Sequence, residues 1–111
     1  NFTCKGYSNE IEQVLINIIN NAKEAFILGN IIERNLTITA YRENNHSIIT
    51  IESNTRCIDD AIIGKIFDPY VTTKESSSGI GLYMSKMIVE KYNGTIEVKN
   101  LNNGVIFIIK F

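Results

Sequence analysis

At 111 residues, 44% hydrophobic and 21% charged, the chain has the composition of one globular domain with a modest core. Its net charge is −1 and its Lys and Arg residues form no run, which offers no basic surface for nucleic acid. No apolar run approaches the ~20 residues of a membrane-spanning helix, and no signal-peptide pattern opens the chain.

The start, Asn1-Phe2-Thr3-Cys4, reads as a strand-like stretch with no partner and no initiating Met. The expectation is a single domain spanning 1–111, cut from a longer protein. Cys4 and Cys57 match neither a disulfide framework nor a metal motif. A reduced, cytoplasmic setting follows as the simpler expectation.

In chain order, the first element is a helix from about Glu10 to Leu28. Asn9, with Glu12 three residues on, resembles a capping box. Ile11, Val14, Leu15, Ile18, Ile19, Ala22, Ala25 and Phe26 recur at helical spacing. Gly29 is the expected stop. The other face carries Gln13, Asn17, Asn20, Asn21 and Glu24. Two strand patterns follow, Leu36–Tyr41 and Ser47–Ser53, joined by a polar turn that holds His46, the only histidine. A solvated turn residue is the simplest reading of that histidine. A short helix is expected over Asp60–Ile66, capped by Asp59 or Asp60. A loop from Phe67 to Ser78 holds the only proline, Pro69. A second long helix runs from about Ile80 to Tyr92, and strands Thr95–Asn100 and Val105–Phe111 close the chain. This order predicts an α+β fold: a two-layer sandwich with a mixed, mostly antiparallel sheet covered on one face by helices.

Three features point to chemistry. Asn17 and Asn21 lie four apart and so share one helix face. Carboxamide oxygens are hard ligands suited to Mg²⁺ held jointly with phosphates. On the helix alone, a solvated polar face accounts for them as well. Ser78-Gly79-Ile80-Gly81-Leu82 places two glycines at a helix start, where free N–H groups and close backbone approach can cradle phosphate. The preceding loop carries Thr72, Thr73 and Lys74.

The ordered set is more specific than any member. Gln13–Ala25 resembles the N-box of sensor histidine kinases. Ile66–Lys74 resembles their F-box and the start of their ATP lid. Ser78–Lys86 resembles the second glycine box, and Asn93–Val98 with the final strand resembles the closing hairpin. The resemblance covers almost the whole chain. It is to the catalytic and ATP-binding domain of histidine kinases, in the GHKL ATPase superfamily, whose sandwich is the Bergerat fold.

The resemblance implies ATP and Mg²⁺ as ligands. Asn21 would be the Mg²⁺ ligand and, with Lys74, a catalytic residue. Asn17 would neighbour the phosphates, with Lys23 and Glu24 one turn further along. Lys74, Ser78, Gly79 and Gly81 would meet phosphate. Phe67 would pack the base of the lid and Leu82 would pack behind the phosphates, although both serve equally as core residues. Ser53, Thr55, Cys57 and Ile58 would lie on the base side. Here the chain departs from the family. Ser53-Asn54-Thr55-Arg56-Cys57 stands where the family has Asp-x-Gly-x-Gly. A hydroxyl replaces the carboxylate that accepts from the adenine amino group, and two side chains replace glycines. The lid is also short, with only Glu75–Ser78 between Lys74 and Gly79.

The implied reaction is transfer of the ATP γ-phosphoryl group to a histidine on an upstream dimerisation domain of the same protein, and onward to a response regulator. The fragment alone is expected to be a monomer. Two other readings stay open: a degenerate GHKL domain acting as a regulatory module, and another GHKL ATPase or an anti-sigma-factor serine kinase.

Overall fold

The computed structural model describes residues 8–69 and 80–111. Among these residues there are three helices and four strands: α1 (Ser8–Leu28), β1 (Leu36–Glu43), β2 (His46–Ser53), α2 (Asp60–Ile63), α3 (Gly81–Lys91), β3 (Thr95–Leu101) and β4 (Gly104–Lys110). The strands form one antiparallel sheet in the order β1-β2-β4-β3.

Strand alternation sets the buried face. Ile49 and Ile51 of β2, Val105, Phe107 and Ile109 of β4, and Ile96 of β3 are buried in one core. The α1 stripe Ile11, Val14 and Ile18 meets them, joined by Leu82 and Val89 of α3. The core is therefore a helix layer on one sheet face, as the chain order predicts. Edge strand β1 is exposed beyond Leu36, with Ile38 47% accessible.

The ends of elements show where local chemistry overrides pattern. Helix α1 already includes Ser8 and Asn9, so Asn9 sits inside the first turn instead of capping it. Its C-terminal stop is Asn30, not Gly29. Asn30 has φ 52°, and the N–H groups of Asn30 and Ile31 bond the carbonyls of Ile27 and Phe26 at 3.2 and 3.1 Å. This is the paired closure of a left-handed helix cap, which asparagine tolerates. Asn93 (φ 62°) closes α3 the same way, with Asn93 N–H to Glu90 O and Gly94 N–H to Val89 O at 3.0 Å each.

The β1–β2 turn is the pair Asn44-Asn45, both at positive φ (52° and 67°), as a two-residue hairpin turn requires. His46 is consequently the first residue of β2, its Nδ1 3.1 Å from Phe111 O. Helix α2 ends at Ile63, three residues before the expected Ile66. Gly64 caps it and the chain continues in turns, with Lys65 N–H on Ile62 O and Asp68 N–H on Lys65 O. Asp59 is the N-cap, its carboxylate accepting from Ala61 N–H at 2.9 Å.

Helices α1 and α3 run antiparallel. At one end of the pair, Glu10 accepts from Lys91 Nζ at 3.1 and 3.2 Å and from the Tyr92 hydroxyl. At the other end, α1 meets the start of α3.

Candidate functional site

Asn17 marks that junction. Its Nδ2 donates to Gly81 O at 3.2 Å and to Ser85 Oγ at 3.1 Å, and its Oδ1 accepts from Gln13 Nε2 at 2.9 Å. Ser85 is fully buried and donates to Gly81 O at 2.9 Å. Asn17 is thus no member of a solvated face; it ties α1 to the first turn of α3. Ile80, at the N-cap of α3, supplies no side-chain cap.

This tie fixes what lies ahead of α3. A helix rises 1.5 Å per residue, so Asn21 and Glu24 stand about 6 and 10 Å further along α1 than Asn17. They share its flank through i+4 and i+7 spacing. Both are half-buried, while Lys23, off that flank, is exposed. A carboxamide and a carboxylate therefore stand beyond the N-terminal end of α3, where helix N–H groups and the positive dipole end point outward. Among the described residues, no group of three or more His, Cys, Asp or Glu could hold a metal. A cation here would rest on a carboxamide shared with substrate phosphates, the donor set that suits Mg²⁺.

The segment after β2 forms the second half. Ser53 and Thr55 are buried, and their hydroxyls are 3.3 Å apart. Cys57 is exposed and its thiol donates to Leu101 O at 3.1 Å. Ile58 is gripped by Asn100: Ile58 N–H donates to Asn100 Oδ1 and Asn100 Nδ2 to Ile58 O, each at 2.8 Å. The amide side chain thereby imitates one rung of a β-ladder. Asn54 does likewise on the other side, accepting from Asn35 N–H and donating to Glu33 O at 2.8 Å each. Gly104 is required here, because a Cβ on it would lie 2.1 Å from Ser53 O. Arg56 places the segment beside the end of α1: a Cβ on Gly29 would meet its side chain at 3.3 Å. Both halves thus flank the C-terminal part of α1.

Phe67 packs against the core, edge-on to Phe107 with ring centroids 6.2 Å apart, and Leu82 is buried in the core itself. Lys74, Ser78 and Gly79 lie outside the described residues, as do Thr72, Thr73 and Cys4. Ser85, Asn100, Asn54 and Gly104 hold the site together; the motif stretches Ser78–Lys86 and Ser53–Cys57 include Ser85 and Asn54 but give them no role, and Asn100 and Gly104 lie outside any motif. Only Ser85 leaves a trace in the pattern, as a polar residue in the stripe Leu82-Ser85-Val89.

Comparison with known proteins adds an independent finding. Residues 6–111 match the family described as histidine kinase-, DNA gyrase B-, and HSP90-like ATPase. Sporulation kinase A of Bacillus subtilis (strain 168) is 32% identical over 108 residues, covering 96% of this chain and 17% of the kinase. The chain therefore spans about a sixth of that relative's length. The nucleotide-free catalytic domain of histidine kinase ThkA superposes with a TM-score of 0.78 at 31% identity, covering 93% of this chain and 66% of that one. ThkA in complex with response regulator protein TrrA gives a TM-score of 0.72 at 30% identity, covering 91% and 28%. With its fold, its asparagine-bearing helix and its match along nearly its full length, the chain belongs to the histidine kinase-, DNA gyrase B- and HSP90-like ATPase family, as a histidine-kinase-type catalytic and ATP-binding domain.

Proposed function

We propose that the chain binds ATP with Mg²⁺ between the start of α3 and the Asn21 flank of α1, and presents the γ-phosphoryl group to a histidine on a separate dimerisation domain of the same protein. The observation that carries this reading is the Asn17 tie, which leaves Asn21 and Glu24 ahead of an N-terminus that Ile80 does not cap.

Bound Mg²⁺ would supply charge neutralisation of the phosphates, the main need of phosphoryl transfer. Asn21 is the residue placed to hold it through a hard carboxamide oxygen. The backbone N–H groups that open α3 orient and stabilise phosphate oxygens. Lys74, Ser78 and Gly79 join them by their place in the lid and glycine-box motifs. Ser53 and Thr55 receive the base, with Ile58 beside them, and Ser53 offers a hydroxyl where the family offers a carboxylate. Base recognition is weaker for it.

His46 is not the acceptor in this reading. It opens β2, at the opposite end of an 8-residue strand from Ser53, some 23 Å away at strand rise. The complex of ThkA with response regulator protein TrrA supports a response regulator as the onward recipient. The domain would act where ATP is present, on the cytoplasmic side.

Asn21→Ala tests the arrangement. In thermal-shift titrations with ATP, the variant is expected to lose the Mg²⁺-dependent part of the stabilisation while keeping its fold. Mg²⁺ dependence equal to that of the unsubstituted chain would put the cation elsewhere.

A further inference from the structure

We infer that the base side of the site does not select for adenine: Ser53 and Thr55 receive a 6-oxopurine nucleotide, of the inosine type, about as well as ATP. The inference deepens the nucleotide-site reading above and rests on it.

Placement comes first. Residues along a strand alternate between its two faces. Ser53 follows Ile49 and Ile51 on the buried face of β2, so its side chain turns toward the helix layer. Thr55, two residues on, meets it with the hydroxyls 3.3 Å apart, and both residues are buried.

The protons decide what this pair can read. Two hydroxyls carry two protons, and the link between them uses one. Either oxygen can be the donor. Among the described residues neither hydroxyl has another partner. When Ser53 donates to Thr55, Ser53 is left to accept from a ligand and Thr55 to donate to it. When Thr55 donates to Ser53, the two roles exchange.

Purine edges differ by the same exchange. Adenine sets an amino donor at C6 beside an acceptor at N1. A 6-oxopurine sets a carbonyl acceptor at C6 beside an N–H donor at N1. Reversing one hydroxyl link therefore fits the pair to either base with the same number of hydrogen bonds. A carboxylate in place of Ser53 could only accept; it would bond the amino group and repel the carbonyl oxygen. Selectivity is a difference between two binding free energies, and a polar group that pairs with both ligands adds nothing to it. The serine thus removes discrimination together with charge.

The test is calorimetric titration of the 111-residue chain with ATP and with ITP, both with Mg²⁺. ITP differs from ATP only along this edge of the base. The two affinities should agree within about threefold, because the hydrogen-bond count is unchanged. A larger preference for ATP overturns the inference. Ser53→Asp should favour ATP over ITP about tenfold or more, and equal affinities in that variant overturn it too. Ser53→Ala covers the case in which the buried aspartate does not fold. It should weaken both nucleotides alike, about three- to tenfold. An unequal loss, or none, overturns the serine's double role. Binding of ATP without ITP leaves the nucleotide-site reading standing and ends this inference; binding of neither ends both.

Discussion

The hydroxyls of Ser53 and Thr55 face each other at 3.3 Å, both buried, at the point where β2 leaves the sheet. Each hydroxyl can donate or accept, and one of them donates to the other. A carboxylate there could only accept and would hold charge in a buried place. The pair brings no charge into this buried place, at the expense of the charged acceptor that the family pattern has there.

Restoring the family pattern should reverse that trade. Ser53→Asp with Thr55→Gly and Cys57→Gly is expected to tighten ATP about ten- to a hundredfold, the worth of a hydrogen bond to a charged group. Without nucleotide the same variant should melt lower, because the new carboxylate is buried with less to bond it. Calorimetric affinity and melting temperature check both halves. Unchanged affinity would place the base away from Ser53.

The glycines separate fold from ligand. Among the described residues, a methyl group on Gly81 would meet only Asn17 Cβ and Cγ, at 3.9 Å, an ordinary contact. Gly81→Ala should therefore leave stability unchanged or slightly raised while weakening ATP binding, since any crowding falls on the ligand. Gly104→Ala drives a Cβ to within 2.1 Å of the Ser53 carbonyl oxygen. It should cost about 1–3 kcal/mol through overpacking. Chemical denaturation of both variants distinguishes them, and equal losses would contradict the assignment.

Much of this was legible in the sequence, for physical reasons that differ by element. The α1 stripe from Ile11 to Phe26 has period 3.6 and a single possible burial face, so both helix and core follow from it. The four strands follow from alternation and from turn residues. Less legible was anything decided by one side chain reaching across the fold. The stop of α1 at Asn30 depends on a left-handed backbone that Gly29 was equally free to take. Asn17 looks like any polar helix residue until α3 is placed against it, and Asn100 looks like any strand end until Ile58 arrives. The departure at Ser53, Thr55 and Cys57 was visible only against the family pattern. Its consequence, two buried hydroxyls bonded to each other, needed the geometry.

Glu10 gives the fold a pH signature. The Tyr92 hydroxyl, and next the Lys91 ammonium, hold its carboxyl below the ordinary value of 4.5. Hydrogen bonding to Glu10 in turn raises both Lys91 and Tyr92. The depressed Glu10 contributes stability that is full above its unfolded value and lost as pH falls through the folded one. The raised Lys91 and Tyr92 contribute stability that is full below their unfolded values and lost as pH rises through the folded ones. The cluster is solvent-exposed, so the effect is small. Melting curves of Glu10→Gln against the parent chain should differ near neutral pH and converge in acid. A gap that persists at acid pH would mean the carboxylate's charge is not its cause.

The central claim is that this domain still binds its nucleotide through Mg²⁺ despite an altered base side. Calorimetric titration of the 111-residue chain with ATP, with and without Mg²⁺, measures it most directly. The account predicts saturable one-to-one binding that depends on Mg²⁺ and is completed in the millimolar range. The absence of both heat and thermal stabilisation at millimolar ATP with Mg²⁺ would contradict it.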